Sequence, residues 1–156
     1  MATRSAIGYV TESGAIMAAY CHWDGYLSHN GQILNSHYTD ENKIVELILG
    51  GEMSSLGSEI GVKHPFDTYN LSDEEKTKFQ NMTTYYGRDR DEINTDHKVF
   101  NTIHEFMDHY EGTGAEYFYV YYEGKWIVSQ HGKDFELLTE ALERDLAQSR
   151  SEEHTS

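Results

Sequence analysis

The segment Tyr20-Cys21-His22-Trp23-Asp24-Gly25-Tyr26 places a thiol, an imidazole, a carboxylate and three aromatic rings in one short run. Two chemistries compete for it. A thiol next to an imidazole can form an activated nucleophile. Adjacent residues of a strand point to opposite faces, however, so Cys21 and His22 do not pair easily. A lone cysteine is also more often a small buried filler. The segment therefore reads as a strand end followed by an Asp24-Gly25 bend. On such a bend Trp23, His22, Asp24 and Tyr26 are expected to recognise a planar, polar ligand.

A second candidate is "YYGRDRDE" at residues 85–92. Guanidinium groups grip phosphate in a two-pronged fashion, so Arg88 and Arg90 are expected to hold phosphate, with Tyr86 stacking on a base. The plainer alternative is that Arg88 and Arg90 pair locally with Asp89 and Asp91 on the surface. Arg4 is a third, weaker cation. Other chemistries lack their spacing. "HEFMDH" at 104–109 resembles the zinc motif HExxH, but Asp108 holds the second histidine's position and His109 is rotated off the face. No paired His-x-Thr or His-x-Ser motif and no glycine-rich phosphate loop occurs in residues 1–149. No catalytic residue, metal or cofactor is assigned.

These residues need elements to position them. Residues 4–10 and 15–21 flank the turn Thr11-Glu12-Ser13-Gly14 and predict a β-hairpin. Helices are predicted over 30–38 and from a Thr39 or Asp40 cap to Leu49, stopped by Gly50-Gly51. Ser72-Asp73-Glu74-Glu75 is a capping box for a short helix to about Met82. Val99, Ile103, Phe106 and Tyr110 form one apolar stripe, predicting a helix over 95–110. "AEYFYVYYEGKWIVSQ" is a second hairpin about Glu123-Gly124, and a last helix is expected over 134–147. Along its first strand Tyr117, Tyr119 and Tyr121 face one way, with one ring-bearing face left open. The fold class expected is α+β, an antiparallel sheet of N- and C-terminal hairpins with helices packed on one face.

The 156 residues suit one domain, 1–149. The tail "RSEEHTS", 150–156, is identical to the in-frame translation of a common short-read sequencing adapter, and is expected to be non-native. No stretch is apolar enough to span a membrane, and the single cysteine suits a reducing cytoplasm. The net charge of -15 repels phosphate backbones, so direct nucleic-acid binding is not expected. The same charge allows an acidic protein to mimic DNA and inhibit a host enzyme.

Several segments resemble a family of small tailed-phage proteins. They are "MATRSAIG" (1–8), "YCHWDGY" (20–26), "GQIL" (31–34), "YTD" (38–40), "SSLGSEI" (54–60) and "YYGRDRDE". In the last, Asp91 stands where the family often has glycine. The resemblance covers about two thirds of the chain and implies a phage or metagenomic source. Small phage proteins of this kind are often anti-defence factors, some acting as sponges for nucleotide immune signals. The expected function is therefore sequestration of a small phosphorylated, nucleotide-like ligand by a cytoplasmic homo-oligomer. The alternatives are the DNA-mimic inhibitor and an enzyme that cleaves such a signal, with His22 or His104 as base.

Overall fold

Strand β1, Ser5–Val10, pairs antiparallel with β2, Ile16–Cys21, in the register Ser5↔Cys21 to Val10↔Ile16. The second hairpin pairs β6, Tyr117–Tyr122, antiparallel with β7, Lys125–Gln130. Its turn residues Glu123 and Gly124 both have positive φ, 49° and 79°, the geometry that matches the twist of the strands it joins. The two hairpins meet through a parallel pairing of β1 with β6, beginning at Ser5↔Tyr117. Short strands β3, Met53–Ser55, and β4, Thr84–Tyr85, extend the sheet beyond β2. Strand β8, Glu136–Leu137, closes the far edge in the order β4-β3-β2-β1-β6-β7-β8. The computed structural model describes residues 2–155, without the side chains of 149–155. Met1 of the N-terminal motif and the side chains of the 150–156 tail lie outside the described residues.

The expected α+β class is observed, with a sheet that is mostly antiparallel and mixed at β1–β6 and β2–β3. One face carries the main helix layer. It comprises a π-helical turn, Leu27–Gly31, then α1, Gln32–His37, α2, Glu41–Leu49, and α6, Leu138–Thr155. Leu34, Tyr38, Ile44, Leu47, Ile48 and Leu138 pack there against Ile7, Cys21, Tyr119 and Val128. Asp40 caps α2 by accepting from the Asn42 N–H at 2.9 Å. The capping box forms on α3, Asp73–Phe79, as expected. Helix α4, Tyr86–Arg90, follows β4 and ends at Asp91 with φ 57°. Glycine adopts that left-handed cap without strain.

Five expectations need correction. The 95–110 helix is two elements: β5, Lys98–Phe100, pairs with β2, and α5, Ile103–Gly112, starts from a Thr102 cap. Val99 is consequently exposed, whereas Phe106 and Tyr110 bury against Ala6, Ala18 and Phe118. Helix α5 thus sits on the face opposite the main layer, so both faces carry helix. The last helix starts later than expected because residues 136–137 are drawn into β8. The 30–38 helix begins as the π-helical turn at Leu27. Finally, the tyrosine face is the covered one. Tyr119 and Tyr121 are buried, and Trp126, also buried, donates its indole N–H to Tyr38 O at 2.8 Å. The opposite face shows Tyr122 alone of that strand's rings.

Candidate functional site

The "YCHWDGY" bend is built from beneath. Cys21 is fully buried, and Asn30 Nδ2 donates to its Sγ at 3.4 Å and to Ser5 Oγ at 3.2 Å. Burial pushes the thiol up to about 12, so it is neither a nucleophile nor a metal ligand in the folded chain. A thiol-specific reagent near neutral pH is expected to leave the native protein unmodified and to label Cys21 once urea unfolds it. Native labelling at the unfolded rate would contradict this burial. Gly25 donates to Thr3 O at 2.8 Å, and a Cβ there would lie 2.8 Å from Ser5 Cβ and 2.9 Å from Thr3 O. Tyr119 anchors the same turn by donating to Gly25 O at 2.6 Å. Asp24 takes φ 57° to make the bend.

The bend leaves Trp23 and Tyr26 exposed, at 43% and 38%. Tyr26 donates to Asp24 Oδ1 at 3.3 Å and meets the His29 ring edge-on. His22 turns to the other side of the strand end. Its Nδ1 lies 2.7 Å from the Tyr20 hydroxyl, and its ring meets Trp23 edge-on at 4.9 Å. Burial, then the positive charge of Arg4, holds the His22 imidazole below its ordinary value, so it stays neutral at physiological pH. A neutral ring already bonded to a phenol is suited to hydrogen bonding.

Pairing explains which of the expected residues meet. Ser5↔Cys21 places Arg4 and His22 on the face that carries Ala6 and Tyr20. Met53 pairs with both Cys21 and Tyr85, which brings Ser54 and Tyr86 beside that face. Burial pushes the Tyr20 hydroxyl up to about 12, against the opposing charge of Arg4 and with a smaller contribution from Tyr86. Arg4, Tyr20, His22 and Tyr86 therefore share one neighbourhood, just past the end of α5. Arg4 caps that helix by donating from Nη1 to Thr113 O at 2.8 Å.

Beyond Tyr86 lies a group of rings around a cation. Phe66 and Tyr86 have centroids 5.6 Å apart. The Arg90 guanidinium lies 4.9 Å from the Phe66 ring and 5.9 Å from that of Tyr86. Arg90 is about half exposed and pairs with Glu92 at 3.2 Å. Phe66 and Tyr20 were not anticipated. Phe66 sits in an irregular segment with no periodicity to mark it.

Arg88 is a correction. Its Nε donates to Asp89 Oδ1, its Nη1 to Ile60 O and Gly61 O, and its Nη2 to Thr83 O and Asp89 Oδ2, all at 2.6–3.3 Å. All five N–H donors are used. Arg88 is thus a brace between two irregular segments, and phosphate would have to displace its protein partners. Asp89, fully buried, also accepts from Tyr85 N at 2.8 Å and His64 N at 3.1 Å. Of the expected arginine pair, Arg90 alone faces solvent with donors to offer.

Among the described residues, no group of three or more His, Cys, Asp and Glu side chains converges as a metal site. His104 and Asp108 lie 3.4 Å apart on the exposed face of α5. No described helix is long and apolar enough to cross a membrane. No protein-family model, curated protein or solved structure matches the chain.

Proposed function

We propose that this protein binds a small phosphorylated, nucleotide-like molecule and holds it unchanged, as a phage-encoded sponge in the host cytoplasm. The observation that carries the reading is the exposed Arg90 guanidinium set against the Phe66 and Tyr86 rings, beside the face shared by Arg4, Tyr20 and His22. A planar base has ring faces to stack on, and an anionic group has Arg90, with Arg4 as the second cation. Trp23 offers a further exposed ring. His22, Asp24 and Tyr26 supply hydrogen bonds to polar edges. Arg88 supports the site from behind. His22, on the face beside this group, is neutral and engaged with Tyr20, which favours retention of the ligand over its cleavage.

The test is a depletion assay. The protein is incubated with a panel of cyclic dinucleotides and ADP-ribose-type molecules, filtered, heated and the released material chromatographed. Depletion with intact recovery is expected. Tyr86→Ala and Arg90→Ala are each expected to weaken binding by about 1–3 kcal/mol. Recovery of a converted species would replace the sponge with an enzyme. Failure to deplete any of the panel would remove the nucleotide reading and favour the acidic-inhibitor alternative, which predicts salt-sensitive capture of a host protein through the charge of -15.

A further inference from the structure

The brace around Asp89 holds a second arrangement. The His64 side chain is 2% exposed and its Nδ1 lies 2.7 Å from Val62 O and 3.6 Å from Asp89 Oδ1. A carbonyl only accepts hydrogen bonds, so the ring carries a proton on Nδ1. Its Nε2 then has a free lone pair. That nitrogen lies 3.2 Å from Thr84 Oγ1, and the hydroxyl is the one group of the two that has a proton to give. Thr84 therefore donates to His64. The Phe79 ring stacks on the imidazole at 5.4 Å and 20°, which fixes its plane. His64 and Thr84 both open onto a cleft of about 570 Å³, lined also by Ser55, Lys76 and Gln80. That volume admits a small molecule. The roof is α3, none of whose residues is fully buried.

A buried histidine satisfied on both nitrogens is ordinarily structural. Two features separate this one. Its tautomer is fixed by acceptors behind it, and the hydroxyl in front of it lines a cleft with an ammonium group. We infer that Thr84 and His64 are a nucleophile–base pair that hydrolyses small activated esters or thioesters by way of an acyl-threonine. Thr84 Oγ attacks the acyl carbon while its proton passes to His64 Nε2. The bond to the leaving alcohol or thiol breaks, and the leaving group takes that proton. Water, with His64 again as base, then releases the carboxylic acid and restores the Thr84 hydroxyl. Lys76 stands in the cleft for the developing oxyanion. Asp89, the buried carboxylate behind the ring, is a positioning residue. This site is independent of the ligand proposed at Arg90.

The test uses the full chain with p-nitrophenyl acetate as probe. Nitrophenolate release and the position of the acetyl group are both followed, the second by mass mapping of peptides. An acetyl adduct on Thr84 of the wild-type protein is expected. Thr84→Val, of nearly equal shape, is expected to lower release at least about a hundredfold, and Thr84→Ser to retain it. His64→Gln should remove the adduct. Asp89→Asn should move the pH profile of acylation to lower pH, a change that loosened packing alone does not produce. Acetylation confined to lysines in folded wild-type protein, or release unchanged in Thr84→Val, would overturn the inference. An unmoved profile in Asp89→Asn would overturn the positioning role.

Discussion

Arg88→Ala is expected to destabilise the protein by about 3–5 kcal/mol, the range for removing one partner of a buried ion pair. The loss is large because two kinds of group are orphaned together. The Asp89 carboxylate, with no exposed surface, loses its counter-ion. The carbonyls of Ile60, Gly61 and Thr83 lose the donors that tie residues 60–61 to the start of β4. Arg88→Lys should recover a minor part, because an ammonium cannot reproduce the guanidinium's five-donor fork. Arg90→Ala is the matched control. Its partner Glu92 is solvated, so stability should change by no more than about 1 kcal/mol. Urea unfolding of the three variants reads this directly. Equal midpoints for Arg88→Ala and Arg90→Ala would show that Arg88 braces nothing.

Phe106→Ala is expected to cost a similar amount, about 3–5 kcal/mol. Phe106 is fully buried and meets Phe100, Tyr110 and Phe118 edge-on at centroid distances of 6.0, 5.4 and 6.1 Å. With Tyr110 it provides the buried side chains by which α5 holds its face of the sheet. A cavity there loosens α5 and, through Thr113, the cap made by Arg4 beside the candidate site. Val99→Ala, in the same apolar stripe of the sequence, should change stability by less than about 0.5 kcal/mol, because Val99 is exposed. Thermal unfolding separates the pair, and comparable losses would restore one continuous helix over 95–110.

That stripe illustrates where the chain was legible. Ile103, Phe106 and Tyr110 have the period of a helix and belong to one. Val99 keeps the same period by coincidence, because residues 98–100 pair with β2, a partner that no local pattern reveals. Both hairpins and the Ser72 capping box were readable since each is specified within a few residues. Residues 136–137 were misread for the same reason as Val99: an edge of β7 claims them. At the site, alternation along β2 separated Cys21 from His22 correctly. Nothing in "GRDRD" distinguished the inward Arg88 from the outward Arg90, because the carbonyls that bind Arg88 come from residues 60–61 and 83. The His64–Thr84 pair joins an irregular segment to the two-residue strand β4 and carries no motif. Phe66 met Tyr86 through the same long-range closure.

The parallel pairing of β1 with β6 also governs how the protein comes into being. During synthesis the N-terminal hairpin leaves the ribosome with one edge of β1 open, and the strand that fills it is encoded more than one hundred residues later. Until then Ala6, Ile7 and Gly8, all buried in the finished sheet, have no cover from β6. Loop closure over that distance must precede most of the contacts that reward it, which slows folding toward the millisecond-to-second scale of non-local topologies. Until β6 arrives, β1 presents an open strand edge of the kind that favours aggregation. Emergence of β6, rather than of the first hairpin, is the event that permits the sheet to close.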